Sequence, residues 1–310
     1  MHVITGTLAY DYIMAFPGAY EDHILPDQIH KINLSFLVNT FEKRRGGTAG
    51  NVSYSLALLK TPHVLFSYAG KDFDDYRKSF EKNGIDLSNV KIDKNDYTST
   101  GFAMTDKSHN QIWGFFIGAS KNIPSLNLKK VAGKGDTVLI GPSGAAGSMS
   151  FVDQCIDNNI SYIFDPGFIL TEVNNRDLTK GVKHCDILIG NDYEIELIST
   201  RVKDYEEIVE KITVIKTVGK NGVEISERGM KYLVKPATVK KAIDPTGAGD
   251  AFRAGLIAGR EKGLSIKEAA QMGSIAAAYA VESYGTQEHA YTIAEFRTRF
   301  TSTYNNSIKI

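Results

Sequence analysis

The stretch Asp244-Pro-Thr-Gly-Ala-Gly-Asp250-Ala-Phe-Arg-Ala-Gly255 decides how the rest of the chain is interpreted. Pro245 restricts one backbone angle, and the two glycines allow a tight turn, so a loop is predicted here. The alanine-rich run after the second glycine favours a helix with one apolar face. The N–H groups of Gly247, Ala248 and Gly249 would then lie unpaired at the helix start, where they and the helix dipole attract anions.

Asp250 adds a carboxylate beside this candidate phosphate site. Because a carboxylate repels a phosphate, we interpret it as the acceptor for the proton of a hydroxyl group that attacks the phosphate. The alternative is a glycine-containing turn whose acid only complements the helix dipole, and the residues alone leave both interpretations open. The dipole should also lower the pKa of Asp250.

Two better-known phosphate loops are absent from this stretch. No lysine follows the glycines, as a G-x-x-x-x-G-K-[ST] loop requires. Phe252 stands where G-x-G-x-x-G needs its third glycine. A dinucleotide-binding loop would also normally open a βαβ unit, often the first of the chain, whereas this stretch comes late. The pattern therefore argues against a nucleotide-binding oxidoreductase.

The composition narrows the class of protein. Lys+Arg and Asp+Glu are 36 each in 310 residues, so no global field favours nucleic acid or an anionic membrane. Cys155 and Cys185 have no metal-ligand spacing and indicate a reducing compartment. No run of 18 uninterrupted apolar residues occurs. We expect a soluble, cytoplasmic protein that binds neither nucleic acid nor a membrane.

Strand-like and helix-like runs alternate along most of the chain, which predicts an α/β fold with a mainly parallel sheet covered on both faces. Residues 2–16 read as one buried strand that reaches Asp11, and residues 32–38 as a half-buried strand. Ligands of such sheets bind at the carboxyl ends of the strands. Asp11, Asn191, Thr217 and the 244–250 loop lie at or just after predicted strand ends.

A second glycine-rich stretch, Arg44-Arg-Gly-Gly-Thr-Ala-Gly-Asn51, precedes a predicted helix near the front of the chain. Its glycines allow close backbone approach, and Asn51 can both donate to and accept from a hydroxyl-rich ligand. A plain glycine turn with an asparagine helix cap explains the stretch nearly as well.

Residues 98–116 predict a β-hairpin that carries an aromatic cluster. Its members are Phe102, Trp113, Phe115 and Phe116. Exposed aromatic rings on a hairpin suit stacking on a flat ligand, although core packing is the commoner cause of such a cluster. The stretches near 32–38 and 98–116 are expected to form a lid over the site.

Together these stretches resemble the ribokinase-like (PfkB) family of sugar and nucleoside kinases. The resemblance rests on Arg45-Gly-Gly-Thr-Ala-Gly-Asn51, Asn191-Asp-Tyr-Glu194 and Asp244-Pro-Thr-Gly-Ala-Gly-Asp250, in that order, and covers residues 1–300. It implies one domain over residues 1–310. The implied fold is an α/β three-layer sandwich with a mainly parallel central sheet and a small β-strand lid. The lid would be formed by segments about 12–45 and 97–118.

Within that family the chain looks most like bacterial adenosine kinases. The stretches that carry this likeness are Thr5–Asp11, His30–Val38, Asp250–Gly255 and Glu282–Glu288. The resemblance implies transfer of a phosphoryl group from ATP to the 5′-hydroxyl of adenosine, with Mg²⁺, a monovalent cation such as K⁺, and a homodimer formed through the lid. A ribokinase or fructokinase of the same family is the alternative.

The resemblance also assigns roles to single residues. Asp250 would be the base, with Gly247, Ala248 and Gly249 as the anion hole. The implied nucleoside site consists of Thr7, Asp11, Ser35, Gly47 and Asn51, with Phe102 and Phe116 as aromatic walls around the purine. The implied nucleotide site consists of Asn191, Thr217, Gly219 and Gly222. Glu194 would organise Mg²⁺, and Asp244 with residues 283–285 the monovalent cation.

One segment departs from the family pattern. Asp165-Pro-Gly-Phe-Ile-Leu-Thr-Glu172 lacks the basic residue that relatives often place a few positions after the Asp-Pro pair. If that residue steadies phosphates, Arg45 or Lys220 must replace it, or the contribution is missing.

Overall fold

A computed structural model describes residues 1–24, 31, 33–108 and 110–308. In these residues the strands are β1 His2–Thr5, β2 Ala9–Ala15, β3 Thr40–Gly46, β4 Val64–Leu65, β5 Ser67–Gly70, β6 Val90–Asp93, β7 Ser99–Thr105, β8 Gln111–Phe116, β9 Thr137–Ile140, β10 Ser161–Phe164, β11 Ile187–Asn191, β12 Thr213–Thr217, β13 Val223–Glu227 and β14 Met230–Val234. The α-helices are α1 Thr48–Leu58, α2 Asp74–Lys82, α3 Ala145–Asn158, α4 Asn175–His184, α5 Asp192–Arg201, α6 Tyr205–Val209, α7 Ala248–Glu261, α8 Ile266–Val281 and α9 Ile293–Tyr304.

The central sheet has eight strands in the order β14-β13-β12-β11-β10-β9-β1-β4. From β12 to β4 neighbouring strands run parallel, and β13 and β14 add an antiparallel hairpin at one edge. Parallel strands need crossover connections, and the intervening helices supply them. All parallel strands therefore end at the same edge of the sheet, where the candidate site lies.

Both faces of this sheet are buried, because consecutive apolar residues point to opposite sides. In β12, for example, Ile215 packs into the core with α1, α2, α7, α8 and α9, whereas Val214 packs into the core with α3, α4, α5 and α6. Two helical layers around one sheet form a three-layer sandwich. The predicted fold class is confirmed.

The helices α7 and α8 pack closely through small residues. A Cβ atom on Gly255 would lie 2.7 Å from the backbone of Gly273, and one on Gly259 would lie 2.6 Å from Ala269. A capping box between Ser265 and Glu268 begins α8.

A separate small sheet has the order β3-β2-β7-β8. The single strand predicted over residues 2–16 is wrong, since it is divided into β1 of the central sheet and β2 of the small sheet. The division occurs at Gly6, whose φ of +136° is rarely adopted by residues with a side chain. Residues 7 and 8 then carry the chain from one sheet to the other.

The strand predicted over residues 32–38 is also wrong in the part that the structure describes. Residues 33–38 have no regular structure, and residue 32 lies outside the described residues. Phe36 packs on Phe16 instead, with ring centroids 4.5 Å apart. The real strand, β3, is the charged segment Thr40–Gly46, and its pairing with β2 outweighs its weak strand pattern.

Near the end of the sequence, α9 continues to Tyr304 and Ile308 is buried. Residues 309 and 310 lie outside the described residues. No helix in the described part of the chain has both the length and the apolar character needed to cross a bilayer.

Candidate active site

The carboxyl edge of the central sheet gathers several of the predicted site residues. Thr7 follows β1, Asn191 ends β11 and Thr217 ends β12. Thr7 is buried, and its N–H donates to the carbonyl of Pro142 at 3.2 Å. The hydroxyl group of Thr217 lies 3.4 Å from the carbonyl oxygen of Gly190. The rule that parallel sheets bind ligands at this edge locates the site.

The 244–250 loop forms a turn that leads directly into α7. Gly247 has φ +79°, and a Cβ atom there would lie 2.9 Å from Thr286, so glycine is needed for both conformation and space. Asp244 holds the turn, since its carboxylate accepts from the N–H groups of Thr246 at 2.9 Å and Gly285 at 3.0 Å. Residues 283–287 thus fold back onto the loop.

The predicted anion hole has fewer free N–H groups than the sequence indicates. The N–H of Ala248 donates to the carbonyl of Pro245 at 3.2 Å and is therefore not free. For Gly247 and Gly249 no such backbone bond is found within the described residues. The N–H groups available to a phosphate are thus those on either side of Ala248, together with that of Asp250 at the third helical position.

A chain of hydrogen bonds positions Asp250. The amide of Asn51 donates from Nδ2 to Asp250 Oδ2 at 2.7 Å. The amide of Gln287 donates from Nε2 to Asn51 Oδ1 at 2.9 Å and to the hydroxyl of Tyr76 at 2.6 Å. Asn51 therefore has protein partners at both ends of its amide, one of which is the predicted base.

Burial raises the pKa of the Asp250 carboxyl group, although the charge of Arg253 and the hydrogen bond from Asn51 oppose the shift. The nearby carboxylates Glu194 and Asp11 raise this pKa further. The low pKa expected from the helix dipole is thus wrong, because desolvation outweighs the dipole. A raised pKa makes Asp250 a better proton acceptor near neutral pH.

Asp11 lies on β2, beside the glycines of the front motif. Burial raises its pKa to about 6. A Cβ atom on Gly101 would lie 2.7 Å from Asp11 Oδ1, and one on Gly46 would also contact this carboxylate. Gly47, with φ +85°, begins α1, and a Cβ atom there would lie 2.5 Å from the carbonyl oxygen of Thr7.

The small sheet carries aromatic side chains on both faces, and only one face shares Asp11. Asp11 pairs with Gly101, and Gly101 pairs with Phe115, so these three residues point to the same side. Trp113 joins them, since a Cβ atom on Gly101 would lie 3.1 Å from its ring and 3.4 Å from Phe115. The two rings lie parallel, with centroids 5.4 Å apart.

Phe102 and Phe116, the predicted purine walls, lie on the opposite face. Phe102 pairs with Tyr12, and their rings stack with centroids 5.4 Å apart. Phe116 pairs with Thr100, which has the same orientation as Phe102. The prediction named the hairpin and the residue type, but it lacked the register that separates neighbouring aromatic residues. Within one chain, the structure does not bring these two rings to Asp11.

Asn191 and Glu194 form a capping box at the start of α5. The N–H of Asn191 donates to Glu194 Oε2, and the N–H of Glu194 donates to Asn191 Oδ1, both at 2.8 Å. Burial raises the pKa of Glu194, and the nearby carboxylate of Asp165 adds to this effect. The Glu194 carboxylate therefore lies close to the same group of charges as Asp250.

Arg253 is the basic residue of this group, and the sequence analysis missed it. It is buried, and its Nη2 donates to Asp165 Oδ1 at 2.6 Å. Of the two proposed replacements, Arg45 pairs with Glu288 at 3.0 Å, and Lys220 is exposed beside the start of α7. A charged residue inside the apolar run after Asp250 was the available signal.

A pocket of about 550 Å³ lies beside the start of α7. Its lining is mainly apolar and includes Thr217, Gly219, Lys220, Gly222, Val223, Pro236, Ala237, Val239, Phe252, Ala277 and Val281. Ala248 and Gly249 also line the pocket, so it adjoins the predicted anion hole. Three of the four predicted nucleotide-site residues, all except Asn191, line this pocket.

Ser35 is a predicted site residue that has no observed contact with this arrangement in the described residues. It is exposed in the irregular segment 33–38, and no hydrogen bond connects it with the Asp11 site in the described residues. Residues 25–30 and 32, which belong to the predicted lid segment 12–45, lie outside the described residues.

The chain matches the model of one protein family over most of its length. The model, described as pfkB family carbohydrate kinase, covers residues 8–293. This chain belongs to the pfkB family of carbohydrate kinases. The family assigned from the glycine-rich stretches is thus confirmed.

Several proteins of this kind are similar to the chain. A nucleoside kinase of Methanothermobacter thermautotrophicus is 32% identical over 307 residues, which cover 96% of this chain and 94% of the relative. A solved structure of Burkholderia thailandensis nucleoside kinase in complex with ADP-inosine matches with TM-score 0.86 and 32% identity, covering 100% of this chain and 98% of that chain. A ribokinase of Haemophilus influenzae is 24% identical, covering 81% of this chain and 85% of the relative.

Proposed function

We propose that this pfkB-family kinase transfers the γ-phosphoryl group of ATP to the 5′-hydroxyl of a purine ribonucleoside, with adenosine as the first acceptor to test. The observation that carries the proposal is the Trp113–Phe115 pair on the same face of the small sheet as Asp11. Aromatic rings supply a flat surface for a base, and a carboxylate accepts from vicinal hydroxyl groups. A free sugar has no base to stack on the rings, so it would contact only the Asp11 carboxylate.

The nucleoside kinases among the relatives support the same acceptor class. The Methanothermobacter enzyme carries that name, and the Burkholderia structure contains inosine. In this chain the ribose would contact Asp11, with the backbone of Gly47 and the buried Thr7 nearby. Ser35 remains a predicted contact.

The donor nucleotide would occupy the pocket of about 550 Å³ beside α7. Its apolar lining suits a purine base, and its open end leads to the free N–H groups of Gly247 and Gly249. The phosphates would therefore run from the pocket towards Asp250, with the γ-phosphoryl group between the helix start and the acceptor hydroxyl. This order of groups permits in-line transfer.

The residues around Asp250 support its role as the base. Asn51 holds one carboxylate oxygen, and burial keeps the pKa of this group above its usual value. The acceptor hydroxyl would give its proton to the other oxygen as the O–P bond forms, and ADP would leave with the bond electrons. The N–H groups at the start of α7 would face the charge on the phosphoryl oxygens.

The donor set also fits Mg²⁺. This ion is usually held by one or two carboxylates, water and substrate phosphates rather than by a cage of side chains. Glu194 offers a half-buried carboxylate whose Oε1 makes no hydrogen bond in the described residues. No cluster of three acidic, histidine or cysteine side chains that could hold a metal occurs there. When bound, Mg²⁺ would neutralise charge on the β- and γ-phosphates.

The remaining predicted features enter as parts of the same proposal. Asp244 and residues 283–285 would hold a monovalent cation, although both oxygens of Asp244 accept backbone hydrogen bonds. The small sheet would act as the lid, closing over the acceptor and excluding water. Exposed Phe41, Phe102 and Phe116 suit pairing of two lids in a homodimer, which sedimentation equilibrium would detect.

A sugar kinase is the second candidate, since Asp11 and Asn51 can bind the hydroxyl groups of a sugar that carries no nucleobase. A ribokinase is also among the relatives. A coupled ADP-release assay with adenosine, inosine, other nucleosides, ribose and fructose tests both. The proposal predicts kcat/KM for at least one purine nucleoside far above that for ribose. Turnover of ribose or fructose with none of the nucleosides would support the sugar kinase instead.

A further inference from the structure

A buried guanidinium group lies at the start of α7, beside the proposed phosphoryl site. Arg253 is only 8% exposed. Its Nη2 donates to Asp165 Oδ1 at 2.6 Å, and its Nε lies 2.5 Å from Asp165 Oδ2. A two-point contact of this kind fixes the plane of the guanidinium group as well as its position.

The side chain of Arg253 runs back towards the start of its own helix. Residues four apart lie on the same helical face, and helical side chains lean towards the N-terminus. A Cβ atom on Gly249 would accordingly lie 2.6 Å from Nη1 of Arg253. The guanidinium group therefore occupies the space beside Gly249, whose N–H belongs to the proposed anion hole.

One edge of the guanidinium group is still available. Guanidinium has five N–H donors. Nη2 donates to Asp165, whereas Nε faces the same carboxylate at ion-pair distance without making a hydrogen bond. Within the described residues Nη1 makes no hydrogen bond to the protein. A positive group with unused donors and free backbone N–H groups thus converge on the same small volume.

The surrounding charges indicate that the Arg253–Asp165 pair does more than join a helix to a strand. A buried ion pair by itself adds little stability compared with apolar residues of the same size. Here Glu194 and Asp250 are also close enough to act electrostatically on Arg253. Three carboxylates around one cation would repel a polyphosphate. The cation can offset this repulsion only if it also faces the polyphosphate.

We propose that Arg253 donates from Nη1 to a non-bridging oxygen of the phosphoryl group during transfer, and that Asp165 positions it. Arg253 would then supply the basic group that the segment after Asp165 lacks. Its hydrogen bond would strengthen as charge moves onto the phosphoryl oxygens, while the hydroxyl proton passes to Asp250 and ADP leaves. The inference rests on the proposed phosphoryl transfer but not on the identity of the acceptor.

The test compares Arg253→Met with Arg260→Met, a control on the exposed part of the same helix. Loss of a donor to the transition state should lower kcat of Arg253→Met about 10²–10³-fold. Its Kd for ADP should match that of the control. Its melting temperature should be lower, because Asp165 loses its buried partner, but the variant should remain folded at the assay temperature. A variant that keeps the kcat of Arg260→Met would overturn the proposal. So would a loss of ADP affinity and melting temperature that fully accounts for the lower activity, since Arg253 would then be structural.

A binding measurement separates this proposal from the choice of acceptor. Aluminium fluoride with ADP imitates a phosphoryl group in transfer, so it should tighten ADP binding to the wild-type protein and to Arg260→Met but not to Arg253→Met. This result would hold even if no nucleoside or sugar were phosphorylated, which would refute the proposed function alone. Equal tightening in all three proteins would refute the role of Arg253.

Arg253→Lys covers the case in which the methionine variant does not fold. Lysine keeps the charge but cannot contact Asp165 at two points and reach the phosphoryl group together. We expect kcat at least about 10-fold below that of wild type with an unchanged Kd for ADP. A lysine variant with wild-type kcat would overturn the proposal.

Discussion

The two faces of the small sheet allow a matched test of where the base binds. Trp113→Ala and Phe115→Ala remove rings from the face that carries Asp11. Phe102→Ala and Phe116→Ala remove rings from the same hairpin on the opposite face, and these two side chains are similarly exposed, at 46% and 44%. The four variants therefore differ mainly in the direction of the lost ring.

The expected size of the effect follows from the geometry. The rings of Trp113 and Phe115 are parallel within 5°, and they are 37% and 79% exposed, so a base can cover both. Stacking of a base on an aromatic side chain contributes about 1–3 kcal/mol. Each truncation on this face should therefore raise KM for adenosine about 5- to 150-fold.

The assay measures KM for adenosine, ribose and ATP in the same coupled ADP-release format. Truncation at Trp113 or Phe115 should leave KM for ATP, and any slow activity on ribose, unchanged. The Phe102 and Phe116 variants should retain the wild-type KM for adenosine. If they raise it instead, while the Trp113 and Phe115 variants do not, the assignment of the binding face from strand register is wrong.

Four further predictions follow from three residues, Asp11, Gln287 and Gly47. Because the pKa of Asp11 is raised to about 6, its carboxylate gains a proton as pH falls, and Kd for adenosine at pH 5 should exceed that at pH 7.5 about 10-fold. Asp11→Asn should bind adenosine weakly and with no such pH dependence. An equal pH dependence of Kd in both proteins would contradict the role given to Asp11. The same raised pKa means that Asp11 makes the free energy of unfolding of the free protein decrease as pH rises from its ordinary pKa to about 6, so urea titrations of wild type and Asp11→Asn should diverge across that window. Gln287→Leu should lower the free energy of unfolding by about 1–3 kcal/mol, because Asn51 Oδ1 loses its buried donor, and an unchanged urea midpoint would mean that this bond contributes nothing. Gly47→Ala should lower the free energy of unfolding by at least about 1–2 kcal/mol, since φ at Gly47 is +85°. Gly84→Ala is the control, because Gly84 has a similar φ but no atom near its Cβ, and it should cost less. Equal losses in the two variants would remove the role given to the contact between Gly47 and Thr7.

The sequence was sufficient for the features that depend on local chemistry. The glycines and Asp250 marked a helix start suited to phosphate, and the alternation of strands and helices predicted a mainly parallel sheet covered on both faces. The carboxyl-edge rule then placed Thr217 and Asn191 near the site, because all parallel strands end at one edge. None of these steps needs knowledge of distant contacts.

The errors came from features that depend on pairing between distant segments. Gly6 divides one apolar run between two sheets, and β3 is a charged strand that pairing with β2 alone explains. Phe115 and Phe116 are neighbours in the sequence, yet they point to opposite faces. Arg253 was overlooked because its partner, Asp165, is 88 residues away.

The kcat of Asp250→Asn, compared with that of wild type, tests most directly the claim that this site transfers a phosphoryl group to a hydroxyl. Both proteins are assayed for ADP release with adenosine and ATP, and Kd for each ligand is measured to show that the site remains intact. Because the substitution removes a general base, it should lower kcat about 10²–10⁴-fold, while the affinities for adenosine and ATP are retained. A variant that keeps more than about a tenth of the wild-type kcat would show that Asp250 is only an acid at a helix start.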